Sequence, residues 1–309
     1  MQFGRSGNLD HVDFSLPGLT ERSCGVLTRS GSGAELGSAD DEWLRLGAPA
    51  FRHRDWLGTL YPADSNADDW LSLYAQKLSA LELNSTFYGL PSEATIDRWL
   101  AQTPARFRFC PKLPRAISHD LGGAELQVLV DAFVARMTRL GPRLGPALIQ
   151  LPERVEPAAL PQLRAALAAF PDDFALALEV RHPGWFEAGA LREELIAELE
   201  ARAIASVITD VSGRRDASHA SLTTARAFVR FVGEGGHASD EPRVAAWLIR
   251  LQAWRSLGLA DAFFFVHQPD DIAAPQLLSI ASEHARAAGV SVPSVALERP
   301  AVTQLDLFR

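Results

Sequence analysis

The segment ALEVRHPGWF, residues 177–186, brings a carboxylate, a guanidinium and an imidazole within four residues of one another at the end of the apolar run FALAL. Burying charge is costly unless it is paired or put to use. Glu179, Arg181 and His182 therefore mark either a structural ion pair or a site. The pattern recurs along the chain. Glu82 and Asn84 sit in ALELN, Lys112 closes RFRFCPK, Gln150 ends ALIQ, Asp210 ends IASVITD, Arg230 lies within AFVRFVG and His267 ends AFFFVH. Two carboxylates in a pocket that also holds cations can titrate apart, one donating and one accepting a proton. On this reading Glu82, Glu179 and Asp210 are the candidate catalytic carboxylates. Guanidinium forks bind phosphate or carboxylate bidentately, so an anionic ligand is the chemical inference. Asn84, Lys112, Gln150, Arg181, His182, Trp185, Arg215, Arg230 and His267 form the candidate substrate-binding set.

Each residue also has a plainer reading. Glu179 and Arg181 fit a rim ion pair, Glu82 an acceptor for backbone or Lys112, and His267 a core histidine with its nitrogens satisfied. His182, just before Pro183, shapes a loop, and Trp185 and Phe186 cap the core. In VSGRRDASHASLTT (211–224), Gly213 permits a tight turn that presents Arg214 and Arg215; alternatively these arginines pair with Asp210 and Asp216. A second chemistry takes Glu82, Glu179, Asp210 and His267 as ligands for Mg²⁺ or Mn²⁺ in a phosphodiesterase acting on nucleic-acid phosphate. That is a fold-level analogy to endonucleases at abasic sites. Trp185 and Tyr88 would then stack on bases. Against it, the chain has no compact His/Asp ligand motif, and nearby Lys and Arg compete with a metal for the carboxylates. A third reading is a noncatalytic module that binds a small anionic ligand.

The elements that must position these residues follow from a rhythm of short apolar runs. They lie at 44–51, 80–87, 106–112, 146–152, 174–182, 204–210, 227–233 and 261–268. Stretches of helical period separate most of them, at 67–78, 92–102, 124–140, 190–202, 240–258 and 275–289. Ser92 before Glu93, the Asp68–Asp69 pair, and Asp240 before Glu241 and Pro242 are helix N-terminal signals. Strands alternating with helices imply right-handed βαβ units and a parallel sheet. Eight such runs predict an α/β fold, a (β/α)₈ TIM-type barrel, with a loop after the sixth strand. An open doubly wound sheet is the alternative, weakened because no Gly-x-Gly-x-x-Gly follows the first strand. Strand side chains alternate faces. Glu179 and Arg181 fall in phase with Ala175 and Ala177, Glu82 with Asn84, Arg230 with Phe228 and Val232, and His267 with Phe263 and Phe265. With Lys112, Gln150 and Asp210 at their strand ends, a polar group from seven of the eight strands is expected at the C-terminal mouth, where this fold keeps its active sites.

The barrel is predicted to occupy residues 42–309 as a single domain. Residues 1–41 read as an N-terminal extension on a flexible segment, because 21–41 are rich in Gly and Ser. The opening residues have no apolar signal-peptide core, and no apolar stretch nears the roughly 20 residues of a membrane span. Cys24 and Cys110 make neither a disulfide framework nor a zinc spacing. A cytoplasmic protein with no membrane association is the expectation. The net charge of −8 argues against a wholly basic nucleic-acid coat, though not against a local basic site.

Seven blocks carry a resemblance, in order: WLGTLYP, YAQKLSALELNSTFYGLPSEATIDRWLAQTPARFRFCPKLPRAISH, LGPALIQLP, ALEVRHPGWF, ITDVSGRRDASH, FVRFVG and FFFVHQ. Together they resemble the YecE-like family, domain of unknown function 72. The resemblance implies a TIM-type barrel. It also implies a polar cluster at the mouth on Glu82, Asn84, Lys112, Gln150, Glu179, Arg181, Asp210, Arg215 and Arg230. It supplies no reaction. Two departures bear on the pocket: GAPAF stands where many relatives carry a Gly-Trp motif, and SHAS replaces a bulkier pairing after its His.

Overall fold

The computed structural model describes residues 3–31 and 42–298. Eight parallel strands form one sheet: β1 (Leu44–Ala48), β2 (Ala80–Leu83), β3 (Arg108–Pro111), β4 (Ala147–Gln150), β5 (Leu176–Glu179), β6 (Ala205–Asp210), β7 (Arg226–Val232) and β8 (Asp261–His267). Their order is 3-2-1-8-7-6-5-4. The ends of this order meet through the parallel bridges Phe109 to Leu144 and Lys112 to Leu148. Gly145 N–H donates to Phe109 O at 2.8 Å and Leu113 N–H to Leu148 O at 2.9 Å. The sheet thus rolls into a TIM-type barrel, as the alternation of strand and helix predicted.

Two cores follow from the two faces of the strands. The outer faces pack under helices that include Trp70–Lys77, Glu93–Gln102, Leu126–Thr138, Asp240–Leu257 and Ala274–Ala287. The inner core is small: Ala80, Cys110, Leu148, Ala177, Ala205, Val207, Phe228, Phe263 and Phe265. Mostly small residues on β2–β6 face large aromatics on β7 and β8, which lets the side chains fit within the cylinder. Gly47 in β1 completes this fit. A Cβ there would lie 2.3 Å from the Ala80 carbonyl oxygen and 2.8 Å from the Phe265 ring. The expected helix signal at Ser92 is realised, its side chain accepting from Thr95 N–H at 3.2 Å. Asp240 does something else: its carboxylate accepts from the backbone N–H groups of Glu234 and Gly236, fastening the β7 loop. The β6–β7 connection is a loop with one short 3₁₀ turn, Arg215–Ala217, as expected.

The N-terminal extension differs from expectation. Within the stretch read as flexible, Glu21–Gly31 is an α-helix docked on the barrel. Val26 and Leu27 are buried; Arg22 forks onto Glu200 at 2.9 and 2.7 Å; Ser23 Oγ accepts from Leu222 N–H. A Gly/Ser-rich composition concealed this short apolar face. Residues 32–41 of that stretch, and 299–309, lie outside the described residues. Upstream, residues 3–17 run along the β6–β7 side of the mouth. Gly213 N–H donates to Gly4 O at 2.6 Å, and a Cβ on Gly213 would lie 2.6 Å from that oxygen. Close approach of the extension, more than a tight turn, explains the glycine. Among the described residues no helix is long and apolar enough to cross a membrane.

Candidate functional site

The inward phase of each strand delivers its last side chain to the C-terminal end of the barrel, and Arg230 on β7 lies at the centre. Its Nε and one terminal nitrogen fork onto the two oxygens of Glu82 on β2, both at 2.8 Å. The other terminal nitrogen bonds Glu179 on β5 and reaches Gln150 Oε1 on β4 at 3.3 Å. Glu82 also accepts from Asn84 Nδ2 at 3.0 Å, and His267 Nε2 on β8 lies 3.2 Å from its other oxygen. Glu179 accepts from Arg181 Nε at 2.7 Å. Glu82, Glu179, Arg230 and His267 are buried, Gln150 nearly so, and Arg181, Asn84 and Lys112 are half-exposed above them.

Among the described residues the charges do not balance within this cup. Lys112, Arg181 and Arg230 face two carboxylates, Glu82 and Glu179. All three cations converge on one neutral acceptor, Gln150 Oε1, at 3.1, 2.8 and 3.3 Å. Burial alone would raise both glutamates. Arg230 and His267 overcome it at Glu82, holding that carboxyl well below its usual range. Arg181 and Arg230 do the same, by less, at Glu179. The expected split into one acidic donor and one basic acceptor is therefore corrected: guanidiniums hold both groups ionised. Burial, with Arg230 adding repulsion, instead pulls the Lys112 ammonium down to about 8. Of the charged groups in the cup, the one brought closest to neutrality is thus an amine.

Asp210 is corrected in position. In β6 the inner-core residues are Ala205 and Val207, so Thr209 continues the inward phase and Asp210 points outward. There Asp210 bonds Arg215, accepts from Arg243 at 3.0 Å and from Trp247 Nε1 at 2.7 Å. It is held below its usual range against burial, by Arg243 and Arg215. Arg215 accordingly belongs to this second cluster, where it also reaches Asp13 O at 3.1 Å. Arg214 forks onto Asp216 at 2.9 and 2.7 Å. The plainer pairing of both arginines with aspartates is the one realised.

His182 Nδ1 accepts from Gly184 N–H at 3.0 Å, and buried Trp185 donates to Val155 O at 2.8 Å, so both shape the loop after β5. Two groups near the mouth escaped the sequence reading. Thr209, beside Arg230 in the strand register, is buried with its hydroxyl unpartnered. Its phase was the available signal. Phe3 of the extension lies over Arg181 with the guanidinium carbon 4.3 Å from its ring centroid, which nothing in the local sequence encodes.

The proposed metal set is not assembled. The Arg230 guanidinium bridges Glu82 and Glu179, and Asp210 faces away. Among the described residues no group of three or more His, Cys, Asp or Glu side chains is arranged to hold a metal ion.

Comparison with known proteins fits this geometry. The family model "Protein of unknown function DUF72" matches residues 45–300. UPF0759 protein YecE of Escherichia coli (strain K12) is 31% identical over 253 residues, covering 76% of this chain and 90% of its own. A DUF72 family protein of Enterococcus faecalis V583 superposes with a TM-score of 0.63 at 17% identity, over 84% of this chain and 100% of its own. Another, from Thermotoga maritima MSB8, gives 0.60 at 24% identity, over 77% and 97%. The matched span leaves out the extension that packs on the mouth. With that span and that identity, the chain belongs to the DUF72 family of proteins of unknown function.

Proposed function

We propose that the mouth of the barrel binds a small ligand bearing a phosphate or carboxylate group and exchanges a proton with it through Lys112. The observation that carries this reading is the convergence of Lys112, Arg181 and Arg230 on the single neutral oxygen of Gln150. Three cations gather on this uncharged acceptor against two carboxylates among the described residues, an arrangement that an anionic oxygen taking the acceptor's place would suit. Glu82 and Glu179 serve in this scheme as anchors: they fix the guanidiniums in advance of the ligand, so that little reorganisation accompanies binding. Arg181, half-exposed, makes first contact with the anion. Lys112 gives up or takes a proton near neutral pH. Donor geometry favours this over the metal-dependent phosphodiesterase, because a guanidinium stands between the carboxylates that would be ligands.

The test is a calorimetric titration with phosphate and with oxalate. Saturable one-to-one binding is expected for the wild type, weakened tenfold or more, about 1.4 kcal/mol, in Arg181→Met. Binding without turnover across phosphoester and carboxylate substrates would point to a noncatalytic module; no saturable binding of either anion would end the reading.

A further inference from the structure

The chain has 28 arginines and two lysines, Lys77 and Lys112. Both side chains supply positive charge, but only the amine can readily shed its proton and attack carbon. The structure gives the two lysines different surroundings. Lys77 directs its ammonium at Leu60 O, Ala296 O and Glu298, at 2.7, 2.8 and 3.1 Å. Three acceptors use all three N–H bonds and leave no lone pair. Lys112 has no carboxylate within ion-pair distance among the described residues. Its Nζ meets a neutral amide oxygen at 3.1 Å and lies 4.4 Å from the Phe87 ring centroid, half-buried at the open end of the barrel. With its ammonium brought down to about 8, roughly a tenth of it is free amine at pH 7, far more than an ordinary lysine offers. Charge alone does not call for the rarer cation at this spot.

We propose that Lys112 is a nucleophile that condenses with the carbonyl group of a small 2-oxo acid whose carboxylate is held by Arg181. The proposal rests on the anion reading above and adds a covalent step to it. Lys112 Nζ and an Arg181 terminal nitrogen both reach the same oxygen of Gln150. A carboxylate that takes the place of that oxygen on Arg181 brings the adjacent carbonyl carbon to the amine. The nitrogen lone pair forms the C–N bond while the C=O π pair moves onto oxygen, which takes a proton from nitrogen to give a carbinolamine. The hydroxyl, taking a second proton from solvent, leaves as water, and the nitrogen lone pair closes a protonated imine. No oxidant or reductant enters this step.

Reductive trapping of the full chain with glyoxylate and cyanoborohydride near neutral pH, followed by peptide mapping, tests the proposal. Carboxymethylation of Lys112 is expected at about ten times or more the level at Lys77, the reference amine in the same sample. Lys112→Arg, which keeps the charge, should abolish that adduct without creating another. Oxalate, an anion without an electrophilic carbonyl, should suppress it. Equal labelling of the two lysines while oxalate still binds would overturn the imine and leave the anion site standing. Equal labelling with no oxalate binding would overturn both.

Discussion

Arg230 is about 1% exposed and answers two carboxylates from opposite walls of the barrel. Such a pair adds little to stability over a well-packed apolar replacement, yet losing one partner strands the others in a dry interior. Arg230→Met should therefore destabilise the protein by about 3–5 kcal/mol in urea unfolding. The triple substitution with Glu82→Gln and Glu179→Gln should recover a large part of that loss. A cost below about 1 kcal/mol for the single change would show that the glutamates do not depend on it. Both glutamates are held below the usual carboxylate range. Their contribution is thus complete above the unfolded value near ~4.3 and is lost as the pH falls beneath it.

At the scale of the element, β6 and the loop behind it hold His219 in a buried, neutral form. Ser221 N–H donates to its Nδ1, and its Nε2 faces Val207 O, each at 3.2 Å. Burial pushes this imidazole down from 6.5 to about 4. Between those values the unfolded chain binds a proton that the folded chain does not, so stability falls as the pH drops through that window, by about 3 kcal/mol in all. Unfolding free energies measured from pH 7 to 4 should show this slope in the wild type and lose it in His219→Gln. An unchanged slope would assign the acid sensitivity elsewhere. The same strand shows where the sequence was legible. Glu82, Glu179, Arg230 and His267 could be placed because each follows small or aromatic residues at a two-residue spacing, and those residues form the inner core. IASVITD is apolar on both faces, as strands of a covered parallel sheet are, so its phase could not be read and Asp210 was assigned to the wrong side. The barrel order was readable because strand and helix periods differ; the contact of Phe3 with Arg181 was not, since it joins residues far apart in the chain.

For the whole molecule, the extension is part of the mouth. Arg5 forks onto Glu234 at 3.2 and 2.8 Å, Phe14 packs against Arg243 and Arg215, and Arg250 donates to the carbonyls of Leu16 and Pro17. These contacts fasten a segment outside the family match onto the β6–β7 side of the site. Removing residues 1–19 should leave the far-ultraviolet circular dichroism of the barrel unchanged while phenylglyoxal modification of Arg181 and Arg215 rises several-fold. Unaltered labelling would mean that the extension does not shield them. If the mouth is short of one anionic oxygen, supplying it from within should satisfy the site. Melting curves of the wild type and Gln150→Glu across a phosphate titration measure this directly. Gln150→Glu is predicted to melt higher than the wild type without phosphate and to lose the saturable rise that phosphate gives the wild type. A Gln150→Glu protein that melts lower, or that responds to phosphate as the wild type does, would contradict it.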